Sequence, residues 1–376
     1  MRAQLKLGRI AGISIGLHYS WFIIALLITL SLADQFHRES PQWGEPVVWA
    51  AASITGLLFF TALLLHELAH SIIAKSRGLR VRAITLFALG GVSQIESESP
   101  DARTEFWIAI AGPLTSIIIG LIFLFLARLA GGVTGIEGRS PTAAVLHWLG
   151  YINIALAGFN MIPGYPLDGG RVLRAVTWWI TRDIRRSTRL ASQVGQAVAF
   201  IFILIGIYQF FKIGIGGLWL AFIGWFLLDA ARSSYIQLEL TQALRGKRVA
   251  DVMERSCATV EAHLSLQDFV NEYLLRTGSR CFIVVQNNAV VGLITPNEVK
   301  KVPRDQWPQA SVQSAMRPLR DLRVVAPDTL AVQALEIMTR DDINQLPVLS
   351  DGQLQGVFSR GQVLRLLQTY AELHGH

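Results

Sequence analysis

The residues of this chain best suited to chemistry stand in one pentapeptide, HELAH, with His66, Glu67 and His70. On a helix, positions i and i+4 lie one turn apart on one face, so both imidazoles can reach a single metal ion. Neutral imidazole suits zinc, and a glutamate beside it is placed to take a proton from a water that the metal activates. With eight histidines in the chain, a chance match has odds on the order of one in a hundred. The competing reading is a polar patch that packs helices together. A catalytic zinc held by two histidines needs one more protein ligand and an open position. Nothing suitable follows His70 on its own helix. The candidate is distant: Asp168, within FNMIPGYPLDGGR. Taken alone, Asp168 serves equally well as the N-cap of a helix over residues 169–179.

The elements that must carry these residues are apolar. Of 376 residues, 52% are hydrophobic and 16% charged, against about 45–50% and 25% in an ordinary soluble domain. That balance excludes a single water-soluble globule, a disordered chain and a fibrous repeat. Two cysteines, Cys257 and Cys281, exclude a disulfide framework and a zinc cage made of cysteine alone. Apolar runs at 17–33, 47–74, 106–130, 143–162, 190–211 and 216–231 predict six spans, since about 20 apolar residues cross a bilayer as a helix. HELAH lies inside the second run. Ionisable side chains there cost several kcal/mol unless paired or metal-bound, which marks them as functional. Pro163, Gly164 and Pro166 break the chain at the end of the fourth run. Irregular backbone at that depth is tolerated where it lines a cavity in the protein.

The basic residues give an orientation. Arg2, Lys6 and Arg9 precede the first run, and Lys75, Arg77, Arg80 and Arg82 follow the second. Arg171, Arg174, Arg182, Arg185, Arg186 and Arg189 lie between the fourth and fifth, and Arg232, Arg245, Lys247 and Arg248 follow the sixth. The opposite loops hold only Arg38, Arg128, Arg139 and Lys212. The positive-inside rule therefore places both termini in the cytoplasm. HELAH and Asp168 then share one membrane side, which favours Asp168 as the third ligand. The net charge of +7 follows from this topology and requires no nucleic acid. The first run lacks a small-residue cleavage site and reads as a retained span.

After residue 246 the texture becomes that of a soluble α/β tail, and it repeats. Met253 matches Met316 and Gly292 matches Gly356, a period close to 63 residues. Each copy reads as a leading strand, a helix, a hairpin at Asn287 and Asn288 or at Asp351 and Gly352, and a closing helix. Such a duplicated module packs against its own copy.

HELAH in one span with NMIPGYPLDGGR ending another resembles the site-2 protease family of intramembrane zinc metalloproteases, over residues 1–236. The resemblance implies one zinc held by His66, His70 and Asp168, with Glu67 as general base and Asn160 holding the scissile carbonyl or its oxyanion. A neutral amide donor suits that last task; its alternative is a helix-packing amide. The resemblance further implies a substrate that is a membrane-spanning helix of another protein, locally unwound before attack. The segment 86–95, LFALGGVSQI, resembles the family's membrane-associated hairpin, whose edge can pair with substrate by strand addition. AGPLTS, with Gly112 and Pro113, resembles the motif of the third span, with Thr115 and Ser116 where an Asn often stands. Both segments also fit plain packing and are left outside the predicted active site.

The tail resembles a pair of cystathionine-β-synthase-type (CBS) domains, over 247–305 and 312–372. That resemblance implies an adenine-nucleotide contact at Thr295 and Glu298, a gating role, and a homodimer through the tail. The second copy has Ser359 but Gln362 in place of the acid; a docking module is the alternative. The expected architecture is thus a polytopic α-helical membrane protein of six transmembrane helices followed by a soluble α/β tandem module, in a prokaryotic cell membrane. The rival functions are a non-proteolytic scaffold, which loss of Glu67 or Asp168 would have marked, and a transporter. A transporter predicts ionisable residues spread along several spans, whereas here they gather at two motifs.

Overall fold

The computed structural model describes residues 4–88, 90–95, 99–131, 140–214, 216–244, 246–255, 258–277, 282–287, 289–341, 343–350 and 353–374. Arg2, Arg139, Arg245, Cys257, Cys281, Asn288, Asp351 and Gly352 lie outside the described residues. The chain divides into two compact units, Met1–Tyr235 and Ile236–His376.

The first unit opens with a hairpin that the sequence reading did not anticipate, β1 (Leu5–Ile10) and β2 (Ile13–Leu17). Its turn is Ala11 and Gly12, at φ 52° and 79°, the positive-φ pair that matches the twist of two-residue hairpins. Next come α1 (Tyr19–Glu39) and α2 (Glu45–Ser76), then β3 (Val81–Phe87) and β4 (Gly90–Ile95). Segment 86–95 is therefore the end of β3 and all of β4. The four strands form one sheet in the order β1-β2-β3-β4, with β2 and β3 parallel and β4 at an edge. One face of it, Ile13, Leu17, Ile84 and Leu86, packs on Phe60, Leu63 and Leu68 of α2. Lys75, near the end of α2, donates to the Ala11 carbonyl at 2.7 Å.

The remaining helices are α3 (Ala102–Leu129), α4 (Pro141–Asn160), α5 (Asp168–Thr181), α6 (Ile184–Ile213) and α7 (Gly216–Ala243). Polar caps start α3 and α6: Asp101 accepts from the Thr104 amide at 2.8 Å, and Asp183 from the amides of Arg185 and Arg186. Among the described residues five helices, α1, α2, α3, α4 and α6, are long and apolar enough to cross a membrane. The sixth predicted span is helical as part of α7, but Asp229 and Arg232 end its apolar run too early for it to join those five. Helix contacts use small residues: Ala52, Ala109 and Ala143 are fully buried, and Gly120 of α3 faces the Gly150 carbonyl of α4. Large apolar side chains point outward, with Phe125 61% and Phe211 79% exposed. That inversion suits a surface solvated by lipid.

The second unit bears out the internal duplication. In the first copy β5 (Thr259–Glu261) runs parallel to β6 (Phe282–Gln286), which pairs antiparallel with β7 (Ala289–Ile294). In the second, Val325 bridges in parallel to Val348 of β9 (Gln345–Ser350), which pairs antiparallel with β10 (Gln353–Ser359). The copies exchange their leading segments: β8 (Arg317–Pro318) adds to β7, and Glu254 bridges to Val357 of β10. A side chain at Gly292 would lie 2.4 Å from the Arg317 carbonyl, and one at Gly356 2.6 Å from that of Glu254. The repeated glycines thus stand where each copy receives the other.

Candidate metal centre

Helix α2 runs between the sheet and α3, and HELAH divides its side chains accordingly. Leu68 turns to the sheet face, while His66 and His70, both under 5% exposed, turn toward α3. Asp168 is the first residue of α5. Its Oδ2 lies 3.2 Å from Nε2 of His66 and 3.2 Å from Nε2 of His70, and the two Nε2 atoms are 3.2 Å apart. Three candidate ligand atoms therefore converge on one point, all within 4.8 Å of one another.

The outer ring atoms say what that point is suited to hold. Nδ1 of His70 donates to the Ile108 carbonyl at 2.6 Å, and Nδ1 of His66 hydrogen-bonds Ser116 Oγ at 2.9 Å. A carbonyl can only accept, so Nδ1 of His70 carries a proton and Nε2 of the neutral ring presents a lone pair. Burial pushes the Asp168 carboxyl up, yet the two imidazoles beside it hold it well below the usual carboxylate range, so it is charged. Two imidazole nitrogens and a carboxylate converging at 3.2 Å form a set of donors suited to a cation held among them. Two imidazoles and a carboxylate fit zinc in type, and the hydrogen bonds on the outer nitrogens are those that orient metal-binding imidazoles.

Glu67 points to the sheet side. Its Oε2 accepts from Ser93 Oγ of β4 at 2.9 Å, and Ser71 donates to Ser93 at 3.1 Å. A Cβ at Gly91 of β4 would sit 2.4 Å from Glu67 Cγ, so β4 lies directly against the glutamate. Asn160 is the last residue of α4 and half-buried; among the described residues no hydrogen bond joins it to His66, His70 or Asp168. The chain does bring its neighbourhood back, because a Cβ at Gly169 would lie 2.4 Å from the Met161 carbonyl. Gly169 thus lets the start of α5 pack on the backbone that ends α4, and Gly170 on the backbone of Gly164 and Tyr165 in the loop between them.

Sequence reasoning left three contributors out. The AGPLTS and 86–95 segments, set aside as packing elements, both reach the site: Gly112 and Ser116 at the histidines, Gly91 and Ser93 at Glu67. The third is Glu105 of α3, fully buried, which pairs with Arg171 at 3.0 Å and Arg174 at 2.5 Å. Two arginines counted toward the membrane topology are therefore engaged inside the protein. In the tail, Thr295 and Glu298 form a capping box at a short helix, Pro296–Val299, with Glu298 6% exposed.

Comparison with known proteins places these features in a family. The profile of Peptidase family M50 matches residues 54–140 and 129–204, and that of the CBS domain matches 249–305 and 312–369. A protein of Synechocystis named as a candidate zinc metalloprotease is 34% identical over 99% of this chain and 97% of its own length. A zinc metalloprotease of Methanocaldococcus jannaschii is 28% identical over 98% of this chain and 97% of its own. The solved site-2 protease of the same archaeon is 31% identical, covering 61% of this chain and 94% of that one, with a TM-score of 0.45. With a relative this similar along the entire chain, and with HELAH inside the matched region, the protein belongs to Peptidase family M50, as a membrane zinc metalloprotease that carries tandem CBS domains.

Proposed function

We propose that the chain cleaves a peptide bond in or near a membrane-spanning helix of another protein, with His66, His70 and Asp168 as metal ligands and Glu67 as general base. The observation that carries this reading is the meeting of those three donors, with Glu67 on the same helix turned to an edge strand. Zinc, when bound, supplies the Lewis acidity that activates water and polarises the scissile carbonyl. Glu67 takes the proton from the attacking water and passes it to the departing amine. Ser93 holds one carboxylate oxygen of Glu67 and so fixes its direction. Among the described residues β4 is an edge strand, and a substrate unwound into extended form adds to it by backbone hydrogen bonds, alongside the glutamate. Asn160 donates from the end of α4 to the developing oxyanion. Both termini lie in the cytoplasm, which makes α7 a sixth crossing.

Zinc content of the detergent-purified protein tests the ligand set. Wild type is expected to hold one zinc per chain, and His66→Ala and Asp168→Ala to hold none while eluting as folded protein. A folded wild type without zinc refutes the reading.

For the tail, Glu298 already accepts from Thr295 and is buried, so a ribose reaches its carboxylate by displacing that cap. We propose an adenine nucleotide in that role, gating the protease. ATP at 100 times its Kd then stabilises the tail by about 2.7 kcal/mol. The thermal midpoint of wild type rises, and that of Glu298→Ala does not. An unmoved wild-type midpoint leaves the tail as a docking module.

A further inference from the structure

One face of α3 serves the entire centre. Glu105, Ile108, Gly112 and Ser116 are spaced by three, four and four residues, which stacks them along one side of a helix. Ile108 and Ser116 orient the histidines, and Gly112 leaves room for them. Glu105 lies a turn before Ile108 and touches neither histidine among the contacts described; its charged partners are on α5. Arg171 Nε meets Glu105 Oε1 at 3.0 Å and Arg174 Nη2 meets the same atom at 2.5 Å, while Ser99 donates to Oε2. Asp168, Arg171 and Arg174 recur at three-residue intervals, so they share a face of α5. That face puts the carboxylate on the histidines and both guanidiniums on Glu105.

We infer that Glu105 is a positioning residue of the metal centre: through Arg171 and Arg174 it sets the register of α5 on α3 and so keeps Asp168 on His66 and His70. This rests on the ligand set proposed above. The physical case is one of specificity. A buried ion pair contributes little net stability compared with apolar residues of the same shape. Apolar contacts let two helices slide, whereas charge-assisted hydrogen bonds to a fully buried carboxylate fix both distance and direction. Asp168 is a terminal residue of α5 with no second helix of its own to hold it, so its place depends on that register. Arg174 is held on a further side, its guanidinium 5.6 Å from the centre of the Tyr165 ring in the loop before Asp168. The cluster therefore grips α5 and the preceding loop together.

The test uses the full-length protein in detergent, with wild type, Glu105→Gln, Arg171→Gln and Leu149→Ala. Leu149 is fully buried in α4 and serves as a variant that is destabilised without touching the clamp. Two quantities are measured: the rate at which a chelator strips zinc, and hydrogen exchange over residues 164–181 in the metal-free protein. Loss of a group that orients a ligand lowers metal affinity by about 10–100-fold. Glu105→Gln is expected to release zinc faster by a factor in that range and to exchange faster over 164–181. Arg171→Gln is expected to do the same to a smaller degree, because Arg174 still pairs with Glu105; it also serves if Glu105→Gln does not fold. Leu149→Ala is expected to lower the thermal midpoint and change neither quantity. Unchanged release and exchange in a folded clamp variant overturns the inference, as does equal acceleration in Leu149→Ala. Absence of zinc from wild type refutes the ligand set instead, and exchange in the metal-free protein then decides alone whether Glu105 holds α5.

Discussion

Glu67→Gln is expected to keep its zinc and lose cleavage. The carboxylate sits on the sheet side of α2, while the three candidate ligands gather on the side of α3. Replacing it with an isosteric amide leaves a partner for the Ser93 hydroxyl and disturbs neither histidine. What disappears is the capacity to accept a proton from water and return it to the amine. Positioned proton transfer contributes about 10²–10⁴-fold to a rate, so turnover of a model transmembrane substrate should fall by at least that range. Zinc content and thermal midpoint should stay at wild-type values. Cleavage within threefold of wild type would assign the base to another residue. Loss of zinc would place Glu67 among the ligands, contrary to its direction in the structure.

The chemistry was legible in the sequence because its residues are unusual where they stand. His66, Glu67, His70 and Asp168 are ionisable groups in or beside apolar runs, and charge in such a setting signals function by its cost alone. The residues that hold them were not legible for the opposite reason. Ser116 and Ser93 look like ordinary small residues of a span and a strand, and Ile108 contributes only its carbonyl. Glu105 reads as an acid in the first turn of α3, a common place for one. Only the packing of α5 reveals that it is fully buried between two arginines. The β1–β2 hairpin escaped notice because its strands are only six and five residues long and stand directly before a long apolar run that dominates the reading. Its signals were the alternation of Ile13, Ile15 and Leu17 with Ser14 and Gly16, and a turn at Ala11 and Gly12. In the tail the duplication was visible as matched Met and Gly. The exchange of leading segments that explains the match depends on contacts between the copies, Leu293 with Arg317 and, far more distant in sequence, Glu254 with Val357.

Gly112→Ala is expected to abolish zinc binding with a single methyl group. A Cβ at this position would stand 2.2 Å from Nε2 of His70 and 2.6 Å from Nε2 of His66. Those are the atoms that face the metal, so the methyl would occupy the space of the ion or of its ligands. Neither imidazole can yield, because Ile108 and Ser116, on the same α3, hold the far side of each ring. Adjustment would have to come from separating α3 from α2, two helices that pack against each other. In most helices glycine to alanine gains about 1 kcal/mol of propensity, which here offsets part of the about 1–3 kcal/mol that such overpacking costs. Zinc is therefore expected to be lost whether the thermal midpoint holds or falls by a few degrees, and the folded fraction is the one assayed. Gly158→Ala on α4 supplies the comparison, since a Cβ there meets nothing within 4 Å. It should keep both zinc and cleavage. Zinc retained at wild-type level in Gly112→Ala would mean that the metal, if held at all, is held somewhere other than between His66 and His70.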